Sequence, residues 1–375
     1  MAYGDRSVLR VPGHVQALEA KRVLLVCGWT SFDASGAAAM LPDLQSIAQV
    51  HRWSGFAPNT DSADLRKGLT IMRAFEPDVV IGVGGGSAMD MAKLLCGFRD
   101  VADDDVLDNI RSGFKTATRR EHLVLVPTTS GSGAEATHFA VVYIGNEKYS
   151  IGGEAMRADV IALDPTLAVT GSPYQRATSG IDAVSQAIES LWAVSATDRS
   201  RRFARTALRV LLPAIERFVN DADPVSARAM CVGSHYAGRA IDISRTTAAH
   251  ALSYGITKTY GISHGHAVAM TLQAFLPVHA AVDETRLQHA VEPAEHASAM
   301  AEVLAAFGAR DGADAKDRFT DLMQRIGLDP SLAHAGAADA SARRALAASV
   351  NAERLGNNPI TFSQDQLTML LEHIN

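Results

Sequence analysis

The chain has 375 residues, of which 47% are hydrophobic and 20% are charged, and its formal net charge is −6 at pH 7. This length exceeds one ordinary hydrophobic core and predicts two domains. The acidic balance argues against a nucleic-acid partner bound by bulk electrostatics, and no apolar run reaches the length of a membrane helix. Residues 1–13 lack the apolar stretch of a secretory signal. Three separated cysteines, predicted to be buried thiols, indicate a cytoplasmic protein.

The first half of the chain alternates short apolar runs with amphipathic segments. The apolar runs predict strands at Val23–Cys27, Val79–Val83, Leu123–Val126 and Val160–Leu163. Runs of consecutive Val, Ile and Leu are typical of parallel strands buried on both faces. The amphipathic segments include predicted helices at Ser62–Ala74 and Ala88–Cys96. The alternation therefore indicates βαβ units, with a hairpin predicted at Ala140–Ile151 around Gly145-Asn146.

Strand-like runs nearly vanish after Gly171. Long helical patterns follow at Gln175–Val194, Arg199–Asn220, Ala227–Ile241 and His289–Phe307, and the Ala-rich segment Ala333–Ala348 is also predicted to be helical. We therefore expect residues 1–171 to form an α/β nucleotide-binding domain and residues 172–375 to form an all-helical domain.

Two loops that follow predicted strands are suited to a nucleotide. Residues 84–87 are Gly-Gly-Gly-Ser and open a helix, whose N-terminus offers N–H groups and partial positive charge to a phosphate. The spacing differs from the usual GxGxxG fingerprint. The second loop, Pro127-Thr128-Thr129-Ser130-Gly131-Ser132-Gly133, is rich in hydroxyls. Either loop alone is explained by a tight turn, but two in one α/β domain favour a nucleotide site.

Acidic, amide and imidazole side chains suggest a metal site in the second half. Asp182 and Gln186 are four residues apart on a predicted helix, so they share a face. His250 and His264 follow fourteen residues apart. An acid and two histidines can bind a divalent metal. The chain has thirteen histidines, however, so a structural origin for any chosen pair stays open.

Together these motifs resemble those of the iron-containing alcohol dehydrogenases. The matching positions are the loop 84–87 with Asp90 and Lys93, the loop 127–133 with Glu135, Asp182, His250 and His264-Gly265. The resemblance implies an α/β nucleotide-binding domain followed by an all-α domain, as in dehydroquinate synthase-like proteins, and a homodimer. It also implies a nicotinamide cofactor and a divalent metal, Fe²⁺ or Zn²⁺.

The implied metal ligands are Asp182, Gln186, His250 and His264. Gln186 departs from the family, which has histidine at this position. Its amide oxygen is a harder and weaker donor for iron or zinc. Either the metal is retained with altered affinity, which we expect, or its occupancy is partial or absent.

The resemblance also assigns the cofactor residues. NAD-preferring members tend to have an acid at the position of Gly28, where a carboxylate would repel a 2′-phosphate, so we expect NADPH, with NADH as the alternative. Gly28 as a simple turn residue is the other interpretation. The predicted cofactor-binding residues are Gly28, Gly84, Gly85, Gly86, Ser87, Asp90, Thr128, Thr129 and Lys148.

Two arginines stand where family members have small or neutral residues. Guanidinium groups suit phosphonate, phosphate or sulfonate oxygens, although Arg245 and Arg354 could instead pair with Asp242 and Glu353. Together with Gln186 and residues 147–150, the stretch around Arg245 resembles the phosphonoacetaldehyde reductase subgroup. The predicted substrate-binding residues are Arg245, Arg354, His138 and Tyr254, the last at a position where the family often has histidine.

The resemblance therefore implies metal-assisted, NAD(P)H-dependent reduction of a small anionic aldehyde to its primary alcohol. The best candidate is phosphonoacetaldehyde, giving 2-hydroxyethylphosphonate as in phosphonate biosynthesis. Three alternatives stay open: sulfoacetaldehyde, lactaldehyde or succinic semialdehyde as substrate, a lyase of related fold, and a metal-free nucleotide-binding protein. No catalytic residue is assigned beyond the metal site. The proton donor is left open between a water on the metal, a cofactor hydroxyl and His266.

Overall fold

The computed structural model describes residues 1–113, 118–145, 147–350 and 352–374, the last range without the side chains of residues 352 and 353. The chain forms two compact units, Met1–Gly171 with Asp223–Cys231, and Ser172–Ala222 with Val232–Asn375. The sequence pattern assigned 223–231 to the second domain. In the structure, Arg228 forms an ion pair with Asp5, which ties this segment to the first unit.

The first unit is built on a six-stranded parallel sheet. Its strands are β1 (Ala2–Tyr3), β2 (Arg22–Cys27), β3 (Gln49–Trp53), β4 (Val79–Gly84), β5 (His122–Pro127) and β8 (Val160–Leu163), in the order β1-β8-β5-β4-β2-β3. A separate antiparallel hairpin joins β6 (Phe139–Ile144) to β7 (Glu147–Gly152). The predicted hairpin is confirmed, although Asn146 lies outside the described residues.

Consecutive residues of β2 explain why the apolar runs predicted this sheet. Leu24 and Val26 belong to one core cluster, whereas Val23, Leu25 and Cys27 belong to the cluster on the opposite face. A strand covered on both faces must be apolar at every position. The helices of this unit are α1 (Val11–Ala17), α2 (Ser31–Ala34), α3 (Leu41–Ile47), α4 (Ser62–Phe75), α5 (Gly86–Phe98), α6 (Val106–Arg111) and α7 (Pro165–Ala168).

The parallel register brings the predicted cofactor loops to one edge of the sheet. Cys27 at the end of β2 is opposite Val83, and Gly84 at the end of β4 is opposite Pro127. The residues that follow these three strands therefore leave the sheet at the same end. This carboxyl edge is where open α/β sheets bind ligands.

The second unit is helical. Its helices are α8 (Pro173–Trp192), α9 (Asp198–Leu211), α10 (Ile215–Asp221), α11 (Pro224–Ser244, which begins in the first unit), α12 (Ala248–Tyr260), α13 (His264–Ala280), α14 (Pro293–Phe307), α15 (Gly312–Arg325), α16 (Ala340–Ala348), α17 (Ala352–Gly356) and α18 (Gln364–Glu372). In the described part of the chain, no helix combines the length and apolar character needed to span a bilayer.

Several predicted helices differ in their bounds for local reasons. The pattern Arg199–Asn220 is two helices, because Pro213 cannot continue an α-helix. The predicted helix at His289–Phe307 begins only at Pro293, and the segment Ala333–Ala348 is helical only from Ala340. Gly336, with φ of 93°, lies in the preceding turn. All three cysteines are buried, as predicted.

Candidate active site

The glycine loop packs against the threonine loop at the carboxyl edge of the sheet. Gly84 has φ of 152°, and a Cβ there would lie 2.7 Å from the Ala88 side chain. A Cβ on Gly86 would come within 3.1 Å of Ser132, and one on Gly85 within 3.5 Å of the Thr129 hydroxyl. Glycine is therefore needed where the two loops pack this closely at the start of α5, and phosphate binding by this helix N-terminus stays a prediction.

Two side chains of α5 hold the hairpin and the loop before it. Lys93 is completely buried and donates to the Thr137 carbonyl (2.9 Å), the Thr137 hydroxyl (2.8 Å), the Phe139 carbonyl (2.9 Å) and the Ala134 carbonyl. Asp90 accepts a hydrogen bond from the Val141 amide (3.0 Å). Burial raises the pKa of Asp90, and Lys93 partly offsets this. Both residues thus shape the loop, and a contact of Asp90 with cofactor stays a prediction.

The remaining predicted cofactor residues are distributed around the same edge. The buried Thr128 donates its amide to the Gly84 carbonyl (2.9 Å), and the Ser87 hydroxyl accepts from the Asn59 amide (3.0 Å). Lys148 lies on β7 and acts electrostatically on Asp90. These contacts place the side chains beside the two loops.

The end of β2 has no acidic side chain at Gly28. A Cβ on Gly28 would lie only 2.1 Å from the Ser31 hydroxyl oxygen, so that hydroxyl occupies the space of a side chain at position 28. Arg52 lies nearby on β3, donating to the Trp29 carbonyl and to Asp33, both at 2.9 Å. A neutral hydroxyl thus lies beside Gly28, and position 28 itself carries no carboxylate.

The predicted metal ligands meet in the helical unit. Among the described residues, Asp182 on α8, His250 on α12 and His264 at the start of α13 offer ligand atoms that lie within 4.8 Å of one another. Asp182 Oδ1 is 3.3 Å from His250 Nε2. Tyr254 stacks on the His264 ring with 5.8 Å between centroids, and the Ser253 hydroxyl is 3.4 Å from His264 Nδ1.

These residues fit a divalent cation. One carboxylate and two imidazoles are a donor set suited to Zn²⁺ or Fe²⁺. His250 Nε2 is buried, and in the part of the chain that the structure describes it has no hydrogen-bond partner. Gln186 donates its amide N–H to Asp182 Oδ2 (3.1 Å), so its buried Oε1 atom is the one that could coordinate the cation.

Glu189 completes this arrangement and was not identified from the sequence. Its side chain is fully buried and contacts His250 Nδ1, the Thr247 hydroxyl (2.7 Å) and the Thr247 amide (3.1 Å). Burial raises the pKa of Glu189, but His250 and Thr247 outweigh it and the pKa is lowered. Burial also disfavours protonated His250, yet Glu189 and Asp182 raise its pKa to about 10. In the sequence, the seven-residue spacing of Asp182 and Glu189 was the sign that both side chains project from the same side of a helix.

The position of His264 depends on close helix packing at Gly265. A Cβ on Gly265 would lie 2.0 Å from the Thr178 carbonyl oxygen and 2.7 Å from Asp182 Cβ. Only glycine lets α13 approach α8 this closely.

His266, the next residue, donates from Nε2 to the Asp329 carbonyl (2.7 Å), and its Nδ1 is 3.3 Å from the Tyr174 hydroxyl. Both ring nitrogens of His266 are therefore engaged.

The segments that carry the two arginines are joined. Arg245 follows α11 with φ of 59°, a left-handed conformation that is uncommon outside glycine. Asn357 donates to the carbonyls on both sides of Arg245, those of Ser244 (2.8 Å) and Thr246 (3.0 Å). Its own amide bonds the carbonyl of the buried Arg354 (3.2 Å).

His138 lies in the first unit, just before β6, with its ring 5.9 Å from that of Phe139. The side chain of Glu353, the alternative partner of Arg354, lies outside the described residues.

Comparisons with known protein families match most of the chain. Residues 1–165 match the family described as iron-containing alcohol dehydrogenase, and residues 176–375 match the C-terminal part of the Fe-containing alcohol dehydrogenase family. A phosphonoacetaldehyde reductase from Streptomyces viridochromogenes is 30% identical over 317 residues, 80% of this chain and 77% of the relative. A long-chain-alcohol dehydrogenase 1 from Geobacillus thermodenitrificans is 33% identical over 62% of this chain and 59% of that protein.

Solved structures share the fold. Sulfoacetaldehyde reductase from Bifidobacterium kashiwanohense, solved in complex with NAD⁺, superposes with a TM-score of 0.86 at 25% identity, covering 100% of this chain and 96% of the other. The predicted fold, an α/β unit and a helical unit, is thus confirmed. The chain belongs to the iron-containing alcohol dehydrogenase family and is an NAD(P)-dependent oxidoreductase of alcohols and aldehydes.

Proposed function

We propose that the chain reduces a small aldehyde with a distal anionic group, phosphonoacetaldehyde being the best candidate, to its primary alcohol. The observation that carries the proposal is the continuity of segment 244–250. Near the start of the segment, Asn357 donates hydrogen bonds to the carbonyls on both sides of Arg245 and to the carbonyl of Arg354. At its end, His250 lies beside Asp182. One segment would therefore contribute an anion-binding arginine and a metal ligand to the two ends of a short substrate.

Four side chains would hold the metal: Asp182, Gln186, His250 and His264. A divalent ion bound there supplies Lewis-acid polarisation of a carbonyl oxygen. Because both nitrogens of His266 are already engaged, we infer that the proton comes from another group. Tyr254, stacked on His264, would form an apolar wall that keeps water from that ligand.

We propose NADPH as the preferred cofactor, bound along the loops 84–87 and 128–133. The support is the Ser31 hydroxyl in the space beside Gly28, because a hydroxyl can donate to a 2′-phosphate whereas a carboxylate repels it. The cofactor supplies the hydride, and the two loops orient it. NADH is the alternative, to be separated by comparing kcat/KM for the two reduced cofactors.

The arginines would provide the selectivity for anions. Guanidinium forks match the oxygens of a phosphonate or sulfonate geometrically. Sulfoacetaldehyde is the second candidate, because a structural neighbour reduces it and its distal group is also a tetrahedral anion. Lactaldehyde, which is neutral, would lose this contact.

The test is a substrate series assayed by NADPH absorbance with metal-reconstituted enzyme. Phosphonoacetaldehyde, sulfoacetaldehyde, succinic semialdehyde and lactaldehyde are compared for wild type, Arg354→Ala and Arg344→Ala. Arg344 is an exposed arginine of α16 and serves as the matched control. We expect Arg354→Ala to lower kcat/KM for phosphonoacetaldehyde at least about tenfold, with lactaldehyde and the control unchanged. Equal losses for all aldehydes, or none, would reject the anion site.

A further inference from the structure

We propose that Glu189 is a positioning residue that fixes the tautomer and orientation of the metal ligand His250. This role rests on the proposed metal site, because Glu189 would act on the metal through His250. Glu189 lies on α8, seven residues after Asp182, so both project from the same side of the helix. One helix thereby presents a carboxylate to each side of the His250 ring.

The contacts of the ring define which nitrogen carries the proton. His250 Nδ1 bonds a Glu189 carboxylate oxygen, and a carboxylate only accepts. When the ring is neutral, as metal binding requires, the proton is therefore on Nδ1 and the lone pair is on Nε2. Nε2 is the atom that lies 3.3 Å from Asp182 Oδ1. A buried carboxylate that orients a ligating histidine is a recurrent feature of metal sites, and it raises the basicity of the ligand.

Glu189 also anchors the backbone that carries His250. Its Oε1 accepts from the Thr247 amide (3.1 Å), the Thr247 hydroxyl (2.7 Å) and the His250 amide (3.4 Å). Thr247 immediately precedes α12, and its side chain does not cap this helix. The Glu189 carboxylate instead accepts hydrogen bonds from amides at the start of the helix, which would otherwise have no partner within it. Both the ring and the backbone of His250 are thus held by one side chain.

Neighbouring residues of α8 hold the same segment without contacting the ligand. Ser244 donates to the Ser190 hydroxyl (2.9 Å), and Trp192 donates to the Thr247 hydroxyl (3.1 Å). Ser190 is buried like Glu189 but, among the described residues, makes no hydrogen bond to His250. Ser190 therefore offers a control that removes a buried hydrogen bond and leaves the ring untouched.

The experiment measures Zn²⁺ affinity of metal-stripped full-length protein by competition with a chromophoric chelator. Wild type, Glu189→Gln, Thr247→Val and Ser190→Ala are compared, and the absorption spectrum of bound Co²⁺ reports the geometry of the site. We expect Glu189→Gln to weaken Zn²⁺ binding by about 10- to 100-fold and to change the Co²⁺ spectrum. Thr247→Val should weaken it severalfold, and Ser190→Ala should leave affinity and spectrum unchanged.

Each outcome is decisive. If Glu189→Gln lowers the Tm of the stripped protein but binds Zn²⁺ like wild type, Glu189 is only a structural cap and the inference is wrong. If Glu189→Gln does not fold, the Zn²⁺ affinity of Thr247→Val is the test. An affinity equal to that of wild type would then overturn the inference. A separate His250→Ala variant that binds Zn²⁺ as tightly as wild type would instead reject the metal site itself.

Discussion

Replacing Gly265 by alanine tests whether the metal site depends on the close packing of α13 against α8. The added Cβ would lie 2.0 Å from the Thr178 carbonyl oxygen. An ordinary C···O contact is about 3.3 Å, so the two helices must separate by roughly 1.3 Å. The obstacle is backbone, which cannot rotate away as a side chain can.

That separation has consequences for both stability and metal binding. Overpacking of this kind costs about 1–3 kcal/mol. His264 begins α13 and Asp182 lies on α8, so the same shift moves one ligand away from the other. Metal–ligand distances tolerate only about 0.2 Å, so Zn²⁺ affinity should fall by at least about tenfold.

The assay combines thermal unfolding of the stripped protein with chelator competition for Zn²⁺. Gly261→Ala is the matched control, because Gly261 has φ of 71° but a Cβ there meets nothing within 4 Å. The control should lose about 1 kcal/mol of stability through backbone strain and keep its Zn²⁺ affinity. Wild-type affinity in Gly265→Ala would refute the proposed geometry of His264 and Asp182.

Three further outcomes are expected. Gln186→His should tighten Zn²⁺ binding in the same chelator assay, because imidazole is the better donor; weaker binding would place residue 186 outside the ligand shell. Lys93→Met should lower the free energy of unfolding by about 3 kcal/mol or more in urea denaturation, since it leaves buried carbonyls unsatisfied. Burial and the neighbouring His296 hold the pKa of His279 well below 6.5, so the unfolded state binds more protons as pH falls below about 6.5. Stability should therefore decline there by at most about 1.4 kcal/mol per pH unit for this group, and the decline should be shallower in His279→Phe; equal slopes would contradict the burial of a neutral ring.

Strands buried on both faces were predictable from the sequence because almost all of their residues are apolar. β2, β4, β5 and β8 were predicted within a few residues, whereas β1 and β3 were missed. Both are edge strands; β1 has only two residues, and only Trp53 of the five residues of β3 is buried, so the polar composition of β3 resembles a loop. An edge strand is defined by its single neighbour, which local sequence does not reveal.

The metal-site residues were found through a family pattern rather than through periodicity. Asp182, His250 and His264 lie together as that pattern implied. Glu189 was missed because its role depends on Thr247 and His250, which lie about 60 residues away in the chain and reach it only through the tertiary fold. A carboxylate on a helix is usually solvated, and the seven-residue spacing from Asp182 indicates only that both side chains project from the same side of α8.

The metal requirement of aldehyde reduction tests the proposed chemistry most directly. Full-length protein is stripped with a chelator, and NADPH oxidation by phosphonoacetaldehyde is followed while Zn²⁺ or Fe²⁺ is titrated back, with Asp182→Asn in parallel. We predict that the stripped wild type is inactive, that its rate rises in proportion to bound metal up to one ion per chain, and that Asp182→Asn is not restored. An equal rate with and without metal would contradict the proposal that these residues form a catalytic metal site.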